Sequence, residues 1–173
     1  MMISEPMNAK LNEQITNEMT ASQAYLAKAC QFDGMGLKVL AKLFRKQTEE
    51  ERMHALKILG YVLEVGGTVT LQAIPKPQAE FPTVVASVED ALQHELKVTQ
   101  QIHDLVGLAE KERDYSTRSF LQWYVDEQVE EVSSMTQLAT VARLAGNDLL
   151  KLELYLTQTG AAEGGKETAE AED

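Results

Sequence analysis

The sequence predicts an all-α protein: a four-helix bundle with a long crossover between its second and third helices and a short fifth helix near the C-terminus. Four long segments repeat hydrophobic residues in alternating steps of four and three, which is the pattern of helices that share one core. Only four of the 173 residues are proline, and Pro75, Pro77 and Pro82 lie in one segment. Long uninterrupted helices are therefore allowed on both sides of that segment.

The first two helices are predicted to form a hairpin. Ser4 can cap a helix that begins between Glu5 and Asn8 and ends near Phe32. A short connection with two glycines follows, and such a connection favours an antiparallel neighbour. The second helix, from about Leu37 to Val65, should therefore run back along the first.

The segment after the second helix is predicted to be a crossover loop. Gly66 and Gly67 stop the helix, and residues 68–82 have no helical period. A helix of about 28 residues is about 42 Å long, whereas about 20 extended residues can reach roughly 66 Å. The loop can therefore run from one end of the bundle to the other. The third helix should then be parallel to the second.

The third and fourth helices follow the crossover. Ser87, with acidic residues two and three positions after it, predicts the start of the third helix, which ends around Arg113. Either Ser116 or Thr117 is expected to cap the fourth helix. That helix continues to Ala145, where a glycine terminates it.

The C-terminal part of the chain divides into a short helix and a tail. Asn147 or Asp148 can cap a fifth helix from Leu149 to Leu156. This segment is too apolar to be an unpacked, solvent-exposed end of the chain. After Gly160 the residues are small and acidic, a composition typical of disorder. We therefore expect one domain, residues 1–160, and a disordered acidic tail, residues 161–173.

Charge and cysteine content exclude several classes of protein. The net charge of −11 argues against a nucleic-acid partner. Cys30 is the only cysteine, so an intrachain disulfide and a CxxC metal site are excluded. The N-terminus does not resemble a signal peptide, and no apolar run approaches the roughly 20 residues of a membrane span. We therefore expect a cytoplasmic protein without a membrane partner.

Each of the four hydrophobic seams is interrupted near its middle by a glutamate. In the third segment, for example, the count passes through Leu92, Glu95, Thr99 and Val106. The four glutamates that occupy seam positions are Glu18, Glu51, Glu95 and Glu131. The second seam adds His54, three residues after Glu51, so that a carboxylate and an imidazole share one helix face.

Buried carboxylates in these positions predict a metal site. Each uncompensated buried carboxylate costs several kcal/mol, against a total stability of about 5–15 kcal/mol for a domain. The seams carry no lysine or arginine, whereas two divalent cations would balance four carboxylates. Oxygen ligands with one imidazole suit iron or manganese better than zinc. The alternative is that one or two of the glutamates point outward from a misphased seam, although the phase agrees in all four helices.

The same residues resemble the ferroxidase centre of ferritins, particularly the non-haem prokaryotic ferritins. The crossover sequence Gly-Gly-x-Val-x-Leu-Gln-x-Ile-x-x-Pro adds to the resemblance, which extends from the first helix to the fifth. The matching site residues are Glu18, Tyr25, the Glu50-Glu51-x-x-His54 cluster, Glu95, Gln128 and Glu131. The resemblance implies a ferritin-like di-iron domain.

The resemblance also implies a role for each site residue. In ferritins the residues matching Glu18, Glu51 and His54 hold the first iron, and the one matching Glu51 bridges to the second. The residues matching Glu95 and Glu131 hold that second iron, with Gln128 beside the pair.

Further roles follow from the same matching. The third iron site of bacterial ferritins corresponds to four acids, Glu50, Glu127, Glu130 and Glu131. Tyr25 lies seven residues beyond Glu18 on the same face and is a candidate electron donor, as is Trp123. Core packing alone accounts equally well for Tyr25.

Two differences from bacterioferritins narrow the resemblance to the non-haem ferritins. Bacterioferritins have a second ExxH histidine, but Val98 and Ser134 stand in the corresponding positions here, which leaves oxygen ligands alone for the second iron. A haem-ligating methionine would occupy the position of Arg52, so no haem is expected. The sequence also lacks the cysteines of rubrerythrins.

The function implied is that of an iron-storage ferritin with ferroxidase activity. Such a protein oxidises Fe(II) with dioxygen and stores ferric mineral inside a hollow shell of twenty-four subunits. The alternative within the same superfamily is a stable di-iron or dimanganese redox enzyme, which would retain its metal. A third hypothesis is a helical interaction module whose glutamates are incidental.

Overall fold

The computed structural model describes residues 2–161, and within that range the chain forms five α-helices and no β-strand. The helices are α1 (Glu5–Gly34), α2 (Lys38–Glu64), α3 (Val84–Glu112), α4 (Tyr115–Ala145) and α5 (Leu149–Gln158). The all-α bundle with a short fifth helix is thus confirmed. The predicted tail, apart from Ala161, lies outside the described residues. None of the described helices is long and apolar enough to cross a membrane.

The directions of the helices follow from contacts between α2 and α4. Gln47 contacts Glu131 near the middle of the bundle, whereas Tyr61 contacts Thr117, so α4 runs backward as α2 runs forward. Since α3 and α4 are joined by two residues and pack side by side, α3 is parallel to α2. The segment between α2 and α3 therefore crosses the length of the bundle, as its length predicts.

Two asparagines of α1 hold the beginning of the crossover. The Asn8 side chain accepts from the Thr68 amide and donates to its carbonyl, at 3.0 and 3.2 Å. Asn12 donates to the same carbonyl and accepts from the Thr70 amide, at 2.8 and 2.6 Å. A Cβ on Gly67 would lie 2.5 Å from Asn8 Oδ1, so this close approach requires glycine.

The end of the crossover is held by α1 and α3 together. Gln31 donates to the Phe81 carbonyl at 3.0 Å. The buried Lys28 ammonium lies 4.8 Å from the centroid of the Phe81 ring and 2.8 Å from the Asp90 carboxylate. Both ends of the loop are therefore anchored to the first helix.

The predicted start of the third helix was wrong by one turn. Thr83 is the N-cap of α3, and its hydroxyl accepts from the Ala86 amide at 3.0 Å. Ser87, the predicted cap, lies inside the first turn with its side chain buried. Thr83 precedes it and satisfies the same kind of orphan amide one turn earlier.

The predicted cap of the fourth helix was also wrong, whereas two others were right. Asp114 caps α4 by accepting from the Thr117 amide at 3.0 Å, so Ser116 and Thr117 lie within the helix. Ser4 caps α1 and Asp148 caps α5, as the sequence predicts. A carboxylate is as good a cap as a hydroxyl, and it sits one residue before the helix that it starts.

The fifth helix caps the second. The start of α2 has no side-chain cap of its own at Leu37. Instead, the Glu153 carboxylate of α5 accepts from the amides of Val39 and Leu40, both at 2.9 Å. A negative charge at a helix N-terminus is favourable, so this contact holds α5 across the end of the bundle.

The interior consists of two apolar layers separated by a polar one. The α5-end layer is built mainly from Phe32, Leu40, Phe44, Val88, Leu138, Leu152 and Leu156. The far-end layer is built mainly from Leu11, Ile15, Ile58, Val62, Ile102, Leu121 and Tyr124. Between them lies the carboxylate layer, which contains Glu18, Glu51, His54, Glu95, Gln128 and Glu131.

The buried stripe of α3 is rotated slightly from the predicted seam. Ala91, Val98 and Leu105 are buried, whereas Leu92 is only partly buried. Glu95 remains on the buried face because a rotation of this size leaves it within the wide apolar stripe of the helix.

Candidate metal centre

Four helices each direct one glutamate into the carboxylate layer. Glu18, Glu51 and Glu95 are completely buried, and Glu131 is 7% exposed. His54 is also buried, at 4% exposure. None of the four glutamates points outward, so the predicted seam phases hold at these positions.

Glu18, Glu51 and His54 form a compact group. Their potential ligand atoms all lie within 4.8 Å of one another. Nδ1 of His54 is 3.6 Å from Oε2 of Glu51. Two carboxylates and an imidazole at these separations can converge on one divalent cation.

A second group shares His54 with Glu127 and Glu131. The potential ligand atoms of these three residues also lie within 4.8 Å of one another. Glu127 is partly buried, whereas the other two residues are buried. His54 is therefore shared by two sets of carboxylates.

Glu95 belongs to neither of these three-residue groups. Its Oε1 accepts a short hydrogen bond from the Tyr25 hydroxyl, and its Oε2 is buried without a hydrogen-bond partner. The structure thus places Glu95 in the layer, with one oxygen already engaged by a neutral donor.

The four acids expected at a third iron site are only partly brought together. Glu127 and Glu131 meet beside His54. Glu50 lies 3.1 Å from the Lys46 ammonium, and Glu130 is exposed. Within residues 2–161 these last two acids are not part of a three-residue ligand group.

Burial and mutual repulsion disfavour ionised carboxylates in this layer. Burial raises the pKa of Glu18 and Glu51 well above the usual range, and the negative charges of Glu51 and Glu95 respectively raise them further. Burial, with a smaller contribution from Glu95, raises the pKa of Glu131 to about 8. The metal-free layer therefore holds protons that a divalent cation would displace.

Several buried atoms of the layer lack a hydrogen-bond partner. They are Oε2 of Glu18, both carboxylate oxygens of Glu51, Oε2 of Glu95 and Nδ1 of His54. Unsatisfied buried polar atoms are costly, and native proteins satisfy nearly all of them. Oxygen atoms with one imidazole nitrogen are the donor set that iron accepts, so the residues fit iron.

Two aromatic residues of α4 contact His54. Tyr124 donates to the His54 carbonyl at 2.8 Å, and the Trp123 ring meets the imidazole edge-on at 5.4 Å between centroids. Lys57 Nζ lies 3.9 Å from the centre of the Trp123 ring, a cation–π contact that holds the indole in place.

Tyr25 is buried beside Glu95. Besides its hydrogen bond to Glu95, its ring contacts Phe44 and His94, at 5.6 and 6.4 Å between centroids. Burial lowers the pKa of His94 to about 4, so this histidine is neutral at physiological pH. Gln128, also buried, accepts from the Thr99 hydroxyl at 2.9 Å on the other side of Glu95.

Two glutamines of the layer were missed as site residues by the sequence analysis. Gln14 donates from Nε2 to Oε1 of Glu18 at 2.9 Å, and Gln47 donates from Nε2 to Oε2 of Glu131 at 2.6 Å. Each lies four residues before a seam glutamate, Glu18 or Glu51, and this spacing was the available signal.

Comparisons with known proteins agree with this geometry. The family model of the ferritin-like domain matches residues 8–145. The chain is 37% identical over 161 residues to a bacterial non-haem ferritin of Staphylococcus epidermidis, covering 92% of this chain and 96% of the relative. It is 39% identical over 162 residues to a ferritin, BfrB, of Mycolicibacterium smegmatis, covering 94% and 90%.

Solved structures give the same result. An open pore ferritin from the hyperthermophilic archaeon Archaeoglobus fulgidus superposes with a TM-score of 0.88 at 40% identity, covering 95% of this chain and 99% of that one. A closed form of that ferritin, engineered by site-directed mutagenesis, superposes with a TM-score of 0.87 at 40% identity, covering 94% and 98%.

Proposed function

The chain belongs to the ferritin family, and from this we propose that it is an iron-storage ferritin that oxidises Fe(II) with dioxygen at the carboxylate layer. The observation that carries this proposal is the set of unpartnered buried oxygens around His54. A pair of divalent cations satisfies both the missing contacts and the charge of four ionised glutamates. Iron is here the substrate, and the ferric product passes to a mineral core.

We assign the ligands of the two irons as follows. The first iron is held by Glu18, Glu51 and His54, whose ligand atoms already lie within 4.8 Å of one another. The second iron is held by Glu95 and Glu131, and Glu51 joins the two because both its oxygens are unpartnered. Gln128 lies beside the pair.

The reaction consumes two electrons from the iron pair. Two Fe(II) ions and two protons convert one dioxygen molecule to hydrogen peroxide, which leaves two Fe(III) ions. Iron binding displaces protons from carboxyls whose pKa is raised by burial, so the site releases protons where the reaction consumes them.

Tyr25 is assigned as an additional one-electron donor. Its hydroxyl donates to Glu95, so the phenol can pass its proton to that carboxylate when it gives dioxygen a further electron beyond the two from iron. Glu127 and Glu131, with the partly buried Glu50 and the exposed Glu130, are assigned to a third iron site.

We further propose a closed shell of twenty-four subunits. Large apolar side chains are exposed on the single chain, including Leu71 and Tyr115 on the sides and Leu144 and Leu150 near α5. Assembly into a shell, as in the ferritin family, would bury such exposed apolar side chains between subunits. Light scattering should report a particle of twenty-four times 19.2 kDa at neutral pH, and a monomer or dimer would contradict this assembly.

The experiment that tests ferroxidase activity compares two glutamates. Glu51→Ala removes the ligand assigned to both irons and should abolish the rapid phase of Fe(II) oxidation, followed by stopped-flow absorbance. Glu130→Ala, outside the pair, should leave that phase intact and change only the later stoichiometry. An unchanged rapid phase in Glu51→Ala would refute the di-iron assignment.

A further inference from the structure

The carboxylate oxygens of the layer differ in how they are occupied. Glu18 has one oxygen bonded to the Gln14 amide and one free, and Glu131 has one oxygen bonded to the Gln47 amide. Neither oxygen of Glu51 has an amide or hydroxyl donor. Two of the three outer ligands are therefore restrained by an amide and the third, Glu95, by the Tyr25 hydroxyl, whereas the ligand assigned to both irons has no such donor.

Gln47 and Gln14 have the same sequence spacing but different hydrogen-bond partners. Gln47 lies four residues before Glu51, as Gln14 lies four residues before Glu18. An amide in this position can bond the glutamate one turn later on its own helix, and Gln14 does so. Gln47 instead donates across the bundle to Glu131 at 2.6 Å, which leaves Glu51 unrestrained.

Both amides are as deeply buried as the ligands that they contact. Gln14 is 2% exposed and Gln47 is 7% exposed. Burying an amide costs free energy unless the amide is hydrogen-bonded. Because its donor is neutral, it can bond a carboxylate without cancelling the charge that attracts a cation. A lysine in the same place would neutralise the ligand and so oppose metal binding.

We propose that Gln14 and Gln47 are positioning residues of the metal centre, each occupying one oxygen of an outer carboxylate so that Glu18 and Glu131 bind iron through a single oxygen. Glu51 keeps both oxygens and can therefore contact two irons. The inference rests on the proposed function, because it assigns the order of ligands around the same iron pair.

Each amide restricts the rotation of its carboxylate before metal binds. A glutamate with one oxygen fixed by an N–H cannot rotate to chelate one ion with both oxygens, and it presents the other oxygen in a defined direction. Gln14 acts on the Glu18 side of the layer and Gln47 on the Glu131 side, so the two amides act on different irons.

The test is an anaerobic titration of the whole protein with Co(II), which reports coordination by its absorption spectrum and does not consume dioxygen. Gln14→Leu and Gln47→Leu remove one amide each at similar side-chain volume. We expect each variant to weaken one of the two Co(II) binding steps about ten-fold or more, and the two variants to affect different steps. Each should also lower the absorption of the affected ion, because a released glutamate that chelates raises the coordination number.

Gln100→Leu is the matched control. Gln100 donates to Asp104 at 2.9 Å with the same four-residue spacing, but both residues are exposed and outside the layer. This variant should change neither binding step. Two outcomes would overturn the inference: no change in either site variant, or equal weakening of both steps in both variants, which indicates general loosening. Failure of the wild-type protein to bind a pair of Co(II) ions would refute the proposed function instead.

Discussion

The apolar layers and the carboxylate layer are built by the same four helices but have opposite effects on the stability of the metal-free protein. In the α5-end layer, Phe32 and Phe44 are completely buried and their rings meet edge-to-face at 4.9 Å. In the carboxylate layer, Glu51 is equally buried, but no amide or hydroxyl donates to its oxygens and its neighbours are other acids and His54. Burial of the first kind stabilises the bundle, and burial of the second kind costs free energy until a cation arrives.

This difference indicates where the sequence serves stability and where it serves function. The apolar layers flank the site on both sides, so their packing can compensate for four buried acids. The site lies mid-helix, where each ligand is held by a rigid element rather than by a loop. Four predictions about stability follow from this difference, given from the largest effect to the smallest.

The largest effect is expected in the apolar layer. Phe32→Ala removes a completely buried ring and leaves a cavity, which should lower the free energy of unfolding by about 3–5 kcal/mol. Urea denaturation of the apo and metal-loaded proteins measures this loss. The loss should be the same with and without metal, because Phe32 lies outside the carboxylate layer. A much larger loss in the metal-loaded protein would mean that the layers are not independent.

A smaller effect is expected from pH in the apo protein. The pKa of Glu131 is about 8 in the folded state and near 4.5 when unperturbed. Between these values the unfolded state loses its proton while the folded state keeps it, so stability is greatest at low pH and falls as pH rises. At 1.36 kcal/mol per pH unit, Glu131 alone should lower the free energy of unfolding by about 2–3 kcal/mol between pH 6 and pH 8.

Metal should reverse this pH dependence. Bound cations require deprotonated ligands, so the loaded protein should not lose stability between pH 6 and pH 8. Thermal or urea denaturation of both forms in matched buffers measures the two slopes. Parallel slopes for the apo and loaded proteins would show that the carboxylate layer does not dominate the pH response.

The smallest effect is expected for removal of the central glutamate. Burial and the charge of Glu95 raise the pKa of Glu51, so Glu51→Ala relieves an unfavourable environment while losing some packing. Apo Glu51→Ala should therefore melt no lower than the apo wild type. Added metal should stabilise the variant less than the wild type, because it lacks the ligand assigned to both ions. A loss comparable to that of Phe32→Ala would contradict the distinction between the layers.

The sequence was sufficient to predict that the four seam glutamates face the core. The steps of four and three placed Glu18, Glu51, Glu95 and Glu131 on buried faces, and the structure buries all four. This works because side-chain direction along a helix is set by a fixed backbone period. The positions of helix starts were less certain: Thr83 rather than Ser87 caps α3, because several neighbouring residues can satisfy the same amides.

The hydrogen-bond partners of the buried side chains could not be predicted from the helical period. Gln47 bonds Glu131 on another helix rather than Glu51 on its own, and Tyr25 bonds Glu95 from across the bundle. Glu50, adjacent to Glu51 in sequence, forms an ion pair with Lys46 on its own helix. Such choices depend on the spacing and axial offset of packed helices and on the rotamers that these allow.

The sequence by itself determined an all-α bundle, the crossover that makes α3 parallel to α2, and a ring of acids with one histidine at mid-height. These features follow from local rules: helical period, loop length and the absence of cations from the seams. The tertiary structure alone decided which oxygen of each acid is free, and that Glu153 of α5 caps the start of α2. Hydrogen bonds act over about 3 Å, so they are fixed only when distant segments have packed against each other.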